Sequence, residues 1–140
     1  LMIVIAVIGI LAAVLIPYTF RAQDRARETG VQNAARAIQT GLEMYASNQI
    51  GTPWYPNSDT TIKSLITLVS PLPKNPFGTA GYLDEVNAAG TSTTLFILGA
   101  TATGTDNPGV IEYQTDGSSY TLILYGAQGT NRINTIVGGH

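Results

Sequence analysis

Side chains able to do chemistry are sparse. The 140 residues contain no cysteine and one histidine, His140. Without cysteine there is no disulfide framework, thiolate metal site or cysteine nucleophile. A Ser-His-Asp triad or a multi-histidine zinc site would have to be built on the last residue, which argues strongly against both. Two acidic groupings remain: the adjacent pair Asp84-Glu85, and the set Asp106, Glu112 and Asp116. Paired carboxylates catalyse when their surroundings push their pKa values apart. Nothing local does so here, and these acids read as surface residues of a turn, a loop and a hairpin. The glycines lie in turn contexts and form no phosphate-binding pattern. The expectation is a chain with no catalytic residue, no cofactor and no metal.

The elements that would have to position such groups tell more. The length suits one domain. Hydrophobic residues make up 44% and charged residues 11%, against roughly 25% charge in an ordinary soluble domain. Seven basic and nine acidic side chains leave a net charge of −2, which argues against a nucleic-acid partner held by a positive field. The apolar residues are concentrated at the start. Leu1 to Ile16 reads LMIVIAVIGILAAVLI, and the first charge is Arg21. As a helix this run is about 24 Å long, short of the roughly 20 residues that cross a hydrocarbon core of about 30 Å. A signal peptide would carry basic residues before the run and a small-residue cleavage site after it. A buried core helix would show a polar face. A truncated membrane-spanning segment fits best.

Beyond Pro17 the helix resumes. Val31, Ala34, Ala35, Ile38, Leu42, Tyr45 and Ala46 recur at spacings of three and four, the stripe of an amphipathic helix. Arg21, Asp24, Arg25, Arg27 and Glu28 form a charged collar just outside the apolar part. The collar reads either as a solvated helix face at a membrane boundary or as an intersubunit contact. Gly51, Pro53 and Pro56 end a long helical unit over 1–50, apolar to 17 and amphipathic over 18–50.

The stretch LMIVIAVIGILAAVLIPYTFRAQDRARE resembles the N-terminal helix of a type IV pilin or a related pseudopilin. The apolar run, Gly9, Pro17 and the charged continuation carry the resemblance, over about the first 45 residues. In that family a leader is cleaved before a phenylalanine whose amino group becomes methylated, and a glutamate follows. By that alignment the glutamate lies immediately before Leu1, so about five mature residues would precede this chain. The resemblance implies a structural subunit stored in the inner membrane and polymerised into a helical homo-oligomer on the cell surface. It implies an assembly machinery with a prepilin peptidase and an assembly ATPase. The filament core would be packed from Leu1, Ile3, Val4, Ile5, Ala6, Val7, Ile8, Ile10, Leu11, Ala12, Ala13, Val14, Leu15 and Ile16. Ala6, Gly9, Ala12 and Ala13 are small enough for helices to approach closely. Glycine costs a helix about 1 kcal/mol and proline about 3, and Pro17 clashes with the Ala13 carbonyl. The family implies that the stretch between Gly9 and Pro17 melts in the filament, each melted residue adding up to about 1.8 Å. Arg21, Asp24, Arg25, Arg27 and Glu28 are then candidate intersubunit charges.

From Gly51 onward the sequence is rich in Gly, Thr, Ser and Asn, as a globular head over 51–140. Ser58-Asp59-Thr60 offers a helix cap before a short helix over Ile62–Val69. Trp54, Tyr55 and Phe77 are expected to seal the end of the long helix against a sheet, and Tyr18, Phe20 and Tyr45 to pack in cores. Strand patterns cover Thr93–Leu98, Val110–Gln114, Ser119–Tyr125 and Arg132–Val137, with Asp116-Gly117 as a hairpin turn. The fold expected is α+β: a type IV pilin fold whose long helix packs its C-terminal half on an antiparallel sheet of three or four strands.

Pro73-Lys74-Asn75-Pro76-Phe77-Gly78 and Tyr120–Ala127 also resemble segments of the major pseudopilin of type II secretion. That family often binds calcium through aspartates after its last strand. The matching stretch here, Gly126-Ala127-Gln128-Gly129-Thr130-Asn131, holds no carboxylate, and calcium favours carboxylate oxygens. The departure favours a pilin. The alternative is a pseudopilin forming a short periplasmic pseudopilus, and a membrane-anchored enzyme or binding module is a distant third.

Overall fold

One uninterrupted helix, α1 (Met2–Asn48), carries a third of the chain. The computed structural model describes residues 1–51, 54–58, 61–62, 64–78, 82, 86–88, 96–98, 108–129 and 131–139, with backbone alone at 66, 86–88 and 96–98. Asp84-Glu85, Asp106 and His140 lie outside the described residues.

α1 runs straight through Pro17. Proline removes one donor, the N–H that would bond the Ala13 carbonyl, and the rest of the ladder survives. The Thr19 hydroxyl donates to the Ile16 carbonyl at 2.8 Å, one turn above the break. The helix ends at Gln49, whose backbone is extended, and Gly51 turns the chain with a φ of 113°.

Among the described residues, the head's sheet has five strands in sequence order. β3 (Ile111–Thr115), β4 (Ser119–Tyr125) and β5 (Arg132–Gly139) form an antiparallel meander. The expected fold is therefore present, with one extension. β1 (Val86–Ala88) and β2 (Phe96–Leu98) add to the β3 edge in parallel. A single strand's pattern carries no sign of its partner's direction, so the reading of Thr93–Leu98 as antiparallel needs this correction.

Alternation along β3 and β4 points Ile111, Tyr113, Tyr120, Leu122 and Leu124 at α1. There they join Val31, Ala34, Ala35, Ile38, Leu42 and Ala46 in one core. The helical stripe read from sequence is this buried face, with Tyr45 half-buried at its margin. The opposite sheet face is also buried at Val110, Glu112, Ile123 and Tyr125.

Two local expectations change. Among the described residues, Thr61 and Ile62 are helical and Ser64–Thr67 form a 3-10 turn in place of the short helix. The Ser64 and Thr67 hydroxyls donate to the carbonyls of Thr61 and Ser64, a local competition that disfavours regular helix. Ser58 does cap this segment, its carbonyl accepting from Ile62 N at 2.9 Å. The three aromatics also separate. Trp54 and Tyr55 donate their N–H groups to the Gly117 carbonyl, at 2.8 and 3.2 Å, by the β3–β4 turn. Phe77 lies under Arg27, about 24 Å further down α1 by helical rise from position 43.

Candidate assembly and membrane surface

The most unusual surface of the molecule is made by α1 before it meets the head. Leucine, isoleucine, valine and alanine propagate a helix without polar groups to satisfy, because every backbone bond closes within the segment. Every residue from Leu1 to Phe20 is exposed. Among the described residues, α1 is the one helix long and apolar enough to cross a membrane. Up to Phe20 it rises about 28 Å, close to the hydrocarbon thickness of about 30 Å. Among the described residues nothing lies within 4 Å of where a Gly9 side chain would begin, so no contact among them requires that glycine.

Tyr18 and Phe20 are 73% and 62% exposed. This corrects the expectation that they pack in a core. They stand where the apolar run meets the charges, the level at which aromatic rings settle at a membrane boundary.

The collar divides by what it touches. The Arg27 guanidinium lies 5.8 Å from the centre of the Phe77 ring, a cation–π contact. Glu28 leans on the head, close enough that a side chain at Gly126 would meet its Oε1 at 2.5 Å. Arg21, Asp24, Arg25 and Glu28 face Ala127, Gln128 and Asn131 across a groove of about 290 Å³. The stretch 126–131, read from sequence as following the last strand, instead joins β4 to β5 and is closed by its own backbone, Gly126 N donating to the Asn131 carbonyl at 2.8 Å, with Gly129 at a φ of 68°. Among the described residues no three His, Cys, Asp or Glu side chains come together.

A second groove of about 570 Å³ runs between α1 and residues 68–74. Its walls approach because α1 carries glycine there. Added side chains would strike Val69 at Gly41 and Pro76, at 2.6 Å, at Gly30.

Two polar sites escaped the sequence reading. Glu43, half-buried on α1, accepts from the hydroxyls of Tyr120 at 2.8 Å and Tyr55 at 3.2 Å. Burial, reinforced by this carboxylate, pushes both phenols above their ordinary pKa. Glu112 is buried, not a surface acid, and accepts from Tyr125 Oη and Gln114 Nε2, both at 3.1 Å. Asp116 is the exposed acid expected. Its carboxylate takes the N–H groups of Ser119 and Ser118 at 2.6 and 2.8 Å, which lowers its pKa. Glu112 and Asp116 thus do separate structural jobs.

No family model matches the chain, and no solved structure matches it significantly. The chain is similar to the type II secretion system core protein G of Pseudomonas aeruginosa, 30% identical over 88 residues. The match covers 61% of this chain and spans 59% of the length of that protein. Together with the long apolar helix and the α+β head, this similarity supports a place in the pilin and pseudopilin superfamily, without singling out the type IV pilins.

Proposed function

We propose that the chain is a structural, non-catalytic subunit that resides in the inner membrane and polymerises into a helical filament of its own copies. One observation carries this reading. Leu1–Ile16 is exposed along its whole length, while the core is formed by the second half of α1 with the head and takes in none of these residues. An apolar surface of this extent has to be covered by lipid or by other helices. Moving from one cover to the other keeps it out of water throughout, so the transfer is nearly balanced in hydrophobic terms. The partners are further copies of the chain, the membrane, and an assembly machinery with a prepilin peptidase and an assembly ATPase.

Two filaments fit. The similarity to a secretion core protein favours a short periplasmic pseudopilus of a type II secretion system. The carboxylate-free turn after β4 favours a long type IV pilus on the cell surface. In either, the stretch between Gly9 and Pro17 gives up helical hydrogen bonds, because Pro17 already leaves the Ala13 carbonyl without its donor. Arg27 and Glu28 lean on their own head, which leaves Arg21, Asp24 and Arg25 as the charges best placed to meet a neighbouring subunit.

Immunogold electron microscopy of sheared surface material, with an antibody to residues 52–140, tests the reading. Long, evenly labelled filaments favour the pilus. Label kept in the cell envelope, with a secretion defect in a deletion strain, favours the pseudopilus. Finding neither labelled filaments nor envelope-bound label with a secretion defect would contradict both readings.

A further inference from the structure

We propose that the groove between the α1 collar and the β4–β5 turn holds the head group of an aminophospholipid, with the phosphate on Arg21 and Arg25 and the ammonium on Asp24 and Glu28. The inference rests on the membrane-resident state proposed above.

Depth is the first argument. The groove begins one residue beyond Phe20, the last apolar position of the exposed run. A span of about 28 Å below it brings Arg21 to the level where acyl chains give way to phosphates. The exposed rings of Tyr18 and Phe20 mark the same level. The groove opens at head-group depth by construction of the helix, not in the bulk periplasm.

Charge is the second. Arg21 and Arg25 are one helical turn apart, and so are Asp24 and Glu28, giving two short rows of opposite sign on adjoining faces. The guanidinium fork matches phosphate oxygens. Both arginines are exposed, whereas Asp24 and Glu28 are half-buried beside the β4–β5 turn. The acids therefore form the inner part of the groove and the arginines its rim. A phosphate–ammonium dipole satisfies both rows. A purely anionic head group would meet two carboxylates, and a quaternary ammonium offers no N–H to them. Arg27, engaged with Phe77, does not line the groove. Its volume, about 290 Å³, lies at the lower end of small-molecule sites, about 300 Å³, as a head group requires.

The test uses the full chain in vesicles and nanodiscs of equal parts phosphatidylethanolamine, phosphatidylcholine and phosphatidylglycerol. Native mass spectrometry reads which lipid stays bound. The expected result is phosphatidylethanolamine retained about fivefold over the other two, the scale of one modest ion pair at a wet surface. Asp24→Asn with Glu28→Gln should abolish that preference and raise phosphatidylglycerol. Arg21→Gln with Arg25→Gln should lower retention of all phosphate-bearing lipids, and lysine at both positions should restore part of it. Circular dichroism keeps folding in view for each variant. A chain that floats with the vesicles yet retains the three lipids equally overturns the head-group site and leaves the membrane reading standing. A chain that does not float with them overturns both.

Discussion

Tyr120 on β4 donates to Glu43 on α1 at 2.8 Å, a hydrogen bond between residues 77 apart in the chain. Tyr55 donates to the other carboxylate oxygen, and its ring meets that of Tyr120 edge-on with centroids 4.7 Å apart. One glutamate therefore ties the helix to the sheet and to the loop that follows the helix. Hydrogen bonds to a charged group are worth about 1.5–3 kcal/mol when buried, and Glu43 is half-buried. Glu43→Ala should cost the head about 1–2 kcal/mol in denaturant unfolding of the full chain in detergent micelles, read by Trp54 fluorescence. Glu43→Gln, which keeps one acceptor, should cost less. Equal stability of Glu43→Ala and the parent would remove Glu43 from this role.

Glycine substitutions should separate contacts inside the chain from those between chains. A methyl at Gly41 collides with Val69, and a methyl at Gly9 meets nothing. Gly41→Ala should destabilise the head by about 1–3 kcal/mol, the usual range for overpacking. Gly9→Ala should leave the head unchanged and favour the helix by about 1 kcal/mol. If the stretch from Gly9 melts on assembly, the same change should reduce filament yield. A Gly9→Ala chain that assembles as well as the parent would argue against melting.

How much of this was legible in the sequence depended on the range of the interaction. The stripe from Val31 to Ala46 could be read because helical periodicity repeats it every turn and one sheet buries all of it. The Asp116-Gly117 turn was legible because it needs a positive φ, which Gly117 adopts at 91°. Glu43 was not legible. It looks like any polar helix residue, and its partners lie 12 and 77 residues away. The parallel direction of β1 and β2, the burial of Glu112 and the separation of Phe77 from Trp54 and Tyr55 were hidden for the same reason. The residues of the collar were readable, but not that Arg27 is engaged by Phe77 of its own head or that Glu28 lies beside Gly126.

Alkaline pH should unfold the head cooperatively. Burial raises the phenols of Tyr82 and Tyr113, and burial with the Glu43 hydrogen bond raises that of Tyr120. The unfolded chain ionises its tyrosines near pH 10, while the folded head keeps these three protonated above it. The native state then binds more protons, so stability is fully present below about pH 10 and falls as pH rises beyond it. The tyrosinate absorbance of these buried phenols and the loss of near-ultraviolet circular dichroism should appear in one step. Smooth ionisation of all tyrosines around pH 10 with the sheet intact would contradict the burial described.

The central claim is that the exposed run Leu1–Ile16 is covered by the same run of neighbouring copies. The most direct measurement is a cryo-electron microscopy map of the assembled chain. The prediction is a filament whose axis is packed with residues 1–16 from successive subunits, helix axes about 8–10 Å apart, with the sheets outside. A filament whose centre is formed by the heads, with Leu1–Ile16 lying outside it, would contradict the account.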